Sequence, residues 1–559
     1  MALGVLAIGM ASCADDLNIS SIDPKSSPSY DDTELLAKQY ATLAVSGQQG
    51  PAGNSDLSSQ YDEGETGFYR TVFNLEELCT DECIWAWQTD TDIPALTNIQ
   101  WNSSSTRVNW AYQRLAYNIT LYNSYITSQA GKASEQSIAE VRFLRALHYW
   151  YFLDLFRKAP FKVDFNMSQL PVERAGKDLY DWIDQELTEI EPLLAPVGSF
   201  CNSQNFGRAD QGAAYALHAR LALNSEVYTN GAVKDYQKAK DYCDLILSSN
   251  AYELSKAPKN GFSGYQQVFM GDNDENPQAM KEIIFPIRQD GRNTQEYAGS
   301  TYLVSSCRIV GMPYANIDNY WSCNFARKDL VEKFFPNDDI PMASDEDFTN
   351  YCKARNLAKD GLSEQQTIDC DNSLGVSTAD VLAKAGDQRA LFYMGVGGGI
   401  RTLSPGKQIT GFLNGASIVK WSNQRLDGQS GHDRTFSDTD IPLFRLAEIY
   451  LTRAEAKYRM GDSEGALADM KYVTDRAGVP AHTSVNDQIL IDEWGKEFYM
   501  EGRRRSDLVR FGLFTGSRYL WDFKGGQPGG TGVDKHFEVY PVPDTDLAGN
   551  PNMSQNADY

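Results

Sequence analysis

"DIPLFRLAEIYLTRAEAKYRMGDSEGALADMKYVTDRAG", residues 440–478, decides the fold. It reads as two helices joined by a tight turn. Pro442 stands near the start, where a missing N–H costs little. Gly461-Asp462 makes the turn and Gly478 ends the second helix. The small side chains of Ala454, Ala456 and Ala466 let the paired helices approach closely.

The same design occurs earlier. "ADQGAAYALHARLALNSEVYTNGAVKDYQKAKDYCDLILSS" (209–249) reads as two helices joined around Asn230-Gly231. Helix–turn–helix units of about 35 to 40 residues resemble tetratricopeptide-type repeats, here diverged from the consensus. A first helix is expected over 31–45. Another is expected over 105–129, where Val108, Tyr112, Leu115, Ile119, Tyr122 and Ile126 recur at helical spacing. In "SIAEVRFLRALHYWYFLDLFRKAP" (137–160), Ser137 and Glu140 have capping-box spacing, and the pattern ends before Pro160. Its last turns are apolar on most sides, which predicts a central core helix. A last helix begins near Ser484 and buries Leu490, Trp494 and Phe498. Between these runs, 255–435 is rich in Gly, Asn, Tyr and Pro. It reads as loops and short strands on a helical frame, the kind of segment that carries binding residues. The expected class is mainly α with a loop-rich insert.

Composition narrows the function. Hydrophobic residues make up 42% of the chain, enough for a large core. The net charge of −24 has the wrong sign for nucleic acid, whose binders neutralise phosphates, and for anionic lipid. It suits neutral partners. "FLRALHYWYFLDLF" (143–156) carries Arg145, His148 and Asp154, so it reads as a buried helix and not a membrane span. Near the start, Leu3 to Ala11 is an uncharged apolar run, far short of the ~20 residues a span needs. It has the length of a signal-peptide core, with small Ala11 and Ser12 before Cys13. It resembles a bacterial lipoprotein signal, with Cys13 as the lipidated residue, although no Lys or Arg precedes Leu3. Asp15 and Asp16 resemble the surface-export signal of Bacteroidota lipoproteins. The alternative is a buried N-terminal strand with an ordinary cysteine. The reading gives a signal peptide over 1–12 and a lipidated tether over 13–30.

Eight further cysteines remain. An even number in an exported chain permits disulfides, and the sequence does not fix their pairing. Cys307–Cys323 and Cys352–Cys370 are the preferred local pairs. Cys79-x3-Cys83 lacks a second zinc half-site, so no zinc is expected. "GDNDENPQ" (271–278) spaces oxygen ligands like the start of a calcium loop, but Ile283 takes the twelfth position. It is no EF-hand. A looser structural calcium stays open, and no other cofactor is expected.

Three stretches together resemble the SusD/RagB family of Bacteroidota outer-membrane lipoproteins. They are "VRFLRALHYWYFLDLFRKAP"; the run from "PLFRLAEIYLTRAEA" through "EWGKEFYMEGRRRSDLVRFG" (494–512 at its end); and the tail "YPVPDTDLAGNPNMSQNADY" (540–559). "CTDECIW" (79–85) resembles the family's TDE turn. The resemblance implies an N-terminal helical region (31–254), a loop-rich ligand-binding region (255–435) and a C-terminal helical region (436–559). It also implies four tetratricopeptide-like units and a cell-surface, lipid-anchored lid on a SusC-like TonB-dependent transporter. Such a lid captures glycan and is not an enzyme. "EGRRRSDLVRFG" then reads as a helix-end salt-bridge network with Glu501 and Asp507, not a nucleic-acid site.

Sugars offer flat C–H faces and hydroxyl edges, so their matching surface is an exposed aromatic ring beside polar groups. "ECIWAWQTDTD" (82–92) supplies Trp85 and Trp87, which face one side if both lie in a strand. Trp85 is the favoured contact. "QEYAGSTYLVSSCRIVGMPYANIDNYWSCNFA" (295–326) supplies Tyr297, Tyr302, Tyr314, Tyr320 and Trp321. A Cys307–Cys323 cystine would brace that loop. Arg389, Tyr393 and Trp421 are further candidates. Two other readings stand beside glycan capture. A peptide-capturing lid is one. A glycoside hydrolase is the other, since 75 acidic residues can always supply a carboxylate pair. The chain has no His-Glu-x-x-His and no Gly-x-Ser-x-Gly.

Overall fold

The computed structural model describes residues 31–559 apart from 63, 202–203, 397–400 and 410–411. Cys13, Asp15, Asp16 and the tether read to residue 30 lie outside the described residues. Helices dominate the rest, and none described is long and apolar enough to cross a membrane.

The frame is a row of helical hairpins. Thr106–Gln129 packs on Glu135–Phe156, which in turn packs on Gly176–Ile190. Gln211–Leu223 pairs with Tyr236–Ser248, and Leu446–Arg459 with Ser463–Ala477. Leu446–Arg459 also packs on Tyr236–Ser248, so the two hairpins read from sequence stand side by side. Ala454, Ala456 and Ala466 are buried. Gly478 closes the second hairpin at φ +76°, a left-handed position that suits glycine. The helix predicted from Ser137 starts two residues earlier, at Glu135, capped by Ser134, whose hydroxyl accepts the Ser137 N–H at 3.0 Å. Glu140 does not reach back as a capping box; it pairs with Arg208 at 2.6 Å.

Among the described residues, eight short strands tie the loop-rich region to this frame. β1 (Cys83–Trp85), β5 (Asn324–Ala326), β7 (Ala416–Ile418) and β6 (Phe392–Tyr393) form one antiparallel sheet in that order. β2 (Lys158–Phe161) pairs with β3 (Val172–Ala175), and β4 (Ile283–Ile287) with β8 (Ile441–Arg445). The first and last of these sheets cross the boundaries read at 254 and 436.

The motif stretches meet in the core, where they bury paired charge. Nε and Nη2 of Arg504 fork onto Asp81 of the TDE turn at 2.7 and 2.8 Å. Arg505 reaches Glu76 and Asp154, and the Met500 N–H donates to Glu82 at 3.1 Å. Burial alone would raise the Asp81 carboxyl. Arg504 and then Lys333 more than offset that, and hold it well below the carboxylate range. Arg503 and Arg510 both pair with Asp507, as expected, while Glu501 pairs instead with Arg445 and Lys420. The tail closes over this cluster. The Tyr540 hydroxyl donates to the Leu75 carbonyl at 2.7 Å, and Asn556 Nδ2 donates to the carbonyls of Phe156 and Tyr540. The residues that carry the family resemblance are therefore structural.

His148, in the middle of Glu135–Phe156, is fully buried. Its Nδ1 lies 2.8 Å from the Leu144 carbonyl and its Nε2 3.1 Å from Asn118 Nδ2. That arrangement suits the neutral ring, and burial lowers its pKa to about 3. The unfolded ring titrates near 6.5. Below that pH the unfolded chain binds the proton and the folded one does not, so stability is lost as pH falls from about 6.5 toward 3. The slope from this one residue is about 1.4 kcal/mol per pH unit. Melting temperature between pH 6.5 and 5 should fall less steeply in a His148→Gln variant than in the wild type. Equal slopes would contradict this assignment.

Candidate functional site

Strand pairing builds the site. β1 runs antiparallel to β5 with Trp85 opposite Asn324, and one further bond, Ala86 N–H to the Cys323 carbonyl at 2.7 Å, extends the ladder. This brings "WAW" alongside "YWS". The strand then stops. The Gln88 N–H turns back to the Ala86 carbonyl at 2.9 Å, so the alternation expected to put Trp85 and Trp87 on one side does not continue. Trp85 points into the core at 5% exposure, with Nε1 donating to Asp90 at 2.9 Å. Trp87 points out at 46% exposure.

The segment 308–322 is anchored at both ends on the helix Ser300–Cys307. The N–H groups of Trp321 and Cys323 donate at 2.9 Å to the carbonyls of Ser305 and Ser306 in the last turn of that helix. The Ser322 N–H donates to the Arg308 carbonyl at 2.9 Å. Trp321 is thereby fixed beside Trp87, whose Nε1 donates to the Trp321 carbonyl at 3.4 Å. Tyr297 continues the surface. Its ring lies 5.8 Å from Trp321 with the planes at 57°. Gly64 permits its approach, because a Cβ there would lie 2.7 Å from the Tyr297 Cβ. Arg70 donates to the Tyr297 carbonyl at 3.2 Å and pairs with Glu65, which also holds Arg107. Burial would raise the Glu65 carboxyl, but the two guanidinium groups more than offset it and hold it lowered.

The result is an aromatic shelf of Trp87, Trp321 and Tyr297, with Tyr320 and Phe412 at its margin. Trp87, Tyr320, Trp321 and Phe412 line one open cleft of about 440 Å³. Tyr320 is 44% exposed, and its hydroxyl donates to Glu364 at 3.2 Å. Phe412 is exposed and stands edge-on to Trp87, with centroids 4.9 Å apart and planes at 81°. Arg401 holds its segment by donating to the Phe412 and Gly415 carbonyls at 2.8 and 2.9 Å. Such a surface can stack the C–H faces of several sugar rings in succession, with backbone and hydroxyl groups at their edges.

Five residues read from sequence as candidate glycan contacts lie in the core instead. Trp85 stacks on Tyr302, with centroids 5.8 Å apart and planes at 24°. Tyr302 is fully buried, donates to Asn74 at 2.8 Å and backs Trp321 from beneath. Arg389 is 0% exposed and paired with Asp387 and Glu493. Tyr393 is buried in β6, its hydroxyl 3.3 Å from the Gly311 carbonyl. Trp421 is also buried, donating to the Met500 carbonyl at 3.0 Å. The expected cystines are absent: Cys307, Cys323, Cys352 and Cys370 are free, buried thiols. Burial pushes Cys307 up to about 12 and Cys370 up to about 11. The loop is braced by the backbone bonds to Ser305 and Ser306, not by a disulfide. Phe412 was not legible as a site residue. Its only signal is a lone aromatic between Gly411 and Asn414.

The oxygen-bearing side chains at 272–276 are taken by other groups of the protein. Asp272 accepts the Leu426 N–H, Asp274 pairs with Arg288, Glu275 pairs with Arg425, and Asn276 caps the helix Pro277–Glu282. Among the described residues no group of three or more His, Cys, Asp or Glu side chains is placed to hold a metal.

The model of the SusD family matches residues 281–559. The chain is 49% identical over 568 residues to the starch-binding protein SusD of Bacteroides thetaiotaomicron, covering 100% of this chain and 97% of that protein. In fold it is similar to a SusD-like protein from Bacteroides fragilis, with a TM-score of 0.64 at 17% identity, covering 95% of this chain and 97% of that one. It is also similar to surface glycan-binding protein A from Bacteroides thetaiotaomicron, solved in complex with laminarihexaose. There the TM-score is 0.62 at 17% identity, covering 94% and 98%.

Proposed function

This chain belongs to the SusD family, and from that premise we propose that it binds starch, or an α-glucan like it, at the cell surface without cleaving it. The observation that carries this reading is the exposed Trp87 set beside Trp321 and Tyr297 on one shelf, in a chain 49% identical to a starch-binding protein. The rings of Trp321 and Tyr297 are inclined at 57° and not coplanar. A bent platform suits a curved α-glucan better than a flat ribbon-like chain. The acids beside the shelf accept hydrogen bonds or hold cations, Asp62 from the Glu65 N–H and Asp433 from the Thr435 N–H among them. Glu65 is held by two arginines and Glu364 accepts from Tyr320. Neither is placed as an unpaired acid across a sugar bond, which supports capture over hydrolysis.

The captured oligosaccharide then passes to a SusC-like TonB-dependent transporter, with the protein held at the outer membrane by lipid on Cys13. Each buried methylene contributes about 0.8 kcal/mol, so several acyl chains anchor durably where one does not. Tethering also raises the local concentration of the protein at its transporter. Family membership supports this part of the reading. Native affinity electrophoresis of the protein from residue 14 onward tests the ligand. Starch in the gel should retard it, while laminarin, fructan and pectin should not. Retardation by none of them, or by laminarin alone, would overturn the assignment.

A further inference from the structure

The segment 308–322 has a second side. Opposite the aromatic shelf it borders another cleft, of about 200 Å³, lined by Arg308, Met312, Tyr314, Gln266, Trp421 and Gln424 among others. Gln424 donates to the Tyr314 carbonyl at 2.8 Å and ties the segment to the far wall.

Arg308 is the unusual member. It is 7% exposed, and its Nε is buried without a hydrogen-bond partner. The other buried arginines hold a carboxylate or a main-chain carbonyl, even where one of their nitrogens is left without a partner. Arg389, Arg445, Arg504 and Arg505 each hold a carboxylate. Arg327 and Arg401 instead donate to main-chain carbonyls. Among the described residues, Arg308 is the buried arginine whose side chain does neither. The acid on its own segment, Asp318, is taken by Arg434 at 3.1 Å and by the Tyr314 hydroxyl at 3.2 Å. Lys420, a further cation of the cleft wall, is neutralised by Glu501 at 2.6 Å. A guanidinium that is 7% exposed, with a buried Nε and no protein partner, is favoured by an anion that completes it. Burial lowers its pKa to about 10, so it is charged at neutral pH.

We propose that this cleft is a binding site for a single oxyanion, a carboxylate or sulfate carried on a small, partly apolar body, with Arg308 as its counter-charge. The planar fork of the guanidinium matches a carboxylate or sulfate edge. Met312 and Trp421 supply the apolar wall, and Gln266 and Gln424 the amides. The site is separate from the shelf and does not depend on the starch reading. With a net charge of −24 on the chain, non-specific attraction of anions is not expected.

Isothermal titration with D-glucuronate, acetate and sulfate, and with glucose as the neutral control, tests the site. Wild-type protein should bind at least one of the anions saturably at one site, and glucose not at this site. Binding of the two carboxylates without sulfate assigns a carboxylate site. Binding of sulfate as well assigns a general oxyanion site. Arg308→Gln should weaken the binding more than tenfold. Met312→Glu, which places an internal carboxylate beside Arg308, should do the same without removing the cation. Retardation by neutral glucan should be unchanged in both variants, and anion binding should survive Trp87→Ala. No saturable binding of any anion by the wild type, or equal binding in both cleft variants, would overturn the proposal.

Discussion

Replacing Arg504 by methionine should destabilise the protein by about 3–5 kcal/mol, the scale set by breaking a buried ion pair through one partner. Asp81 is fully buried and is forked by Arg504, with the Tyr519 hydroxyl at 2.6 Å and Lys333 at 3.6 Å as its other partners. Without the guanidinium, its charge is left in low dielectric with incomplete compensation. Asp81→Asn in the same background should recover part of the loss, because it removes the stranded charge. The denaturant midpoints of the wild type, both single variants and the double variant measure this coupling. The pair joins the TDE turn to the "GRRR" run more than four hundred residues later, so an additive result would mean that this contact does not hold the two ends of the chain together.

Trp87→Ala should weaken glycan binding by about 2 kcal/mol, about thirtyfold in Kd, as expected for an aromatic anchor at the centre of a contact. It should leave stability close to wild type, because the ring is 46% exposed. Trp85→Ala should do the reverse. It empties a core position stacked on Tyr302, a change that costs about 3–5 kcal/mol of stability. Calorimetric titration with maltoheptaose beside thermal melts of both variants separates the two roles. If Trp85→Ala abolished binding with an unchanged melt and Trp87→Ala did not, the shelf would be wrongly placed.

These two tryptophans also show where sequence reasoning succeeds and where it stops. The helical frame was legible because its signals are local. Periodic apolar residues, Gly461-Asp462 and Gly478 mark hairpins without knowledge of what they pack against. The family motifs were legible as a set, but their role was not, since Asp81 and Arg504 meet only in the folded chain. The candidate site was legible in part. Trp87, Tyr297, Tyr320 and Trp321 stand in segments rich in aromatics and turn residues, and the structure places them at the surface or half-buried. Trp85, Tyr302 and Tyr393 come from the same segments and are buried. The difference lies in where a strand ends and which helix passes beneath, which composition does not encode. Arg389 misled because a guanidinium reads as exposed until Glu493 and Glu497, about a hundred residues later, are seen to neutralise it. The cysteine pairs were proposed from proximity in sequence. Cys352 and Cys370 do share one small apolar cluster, but as thiols.

The most direct test of the central claim is a crystal structure of the protein grown with maltoheptaose. The account predicts the oligosaccharide curved along Trp87, Trp321 and Tyr297, with sugar faces against the rings and Phe412 bracing Trp87 from the side. An oligosaccharide bound elsewhere, with this shelf bare and unobstructed, would contradict it.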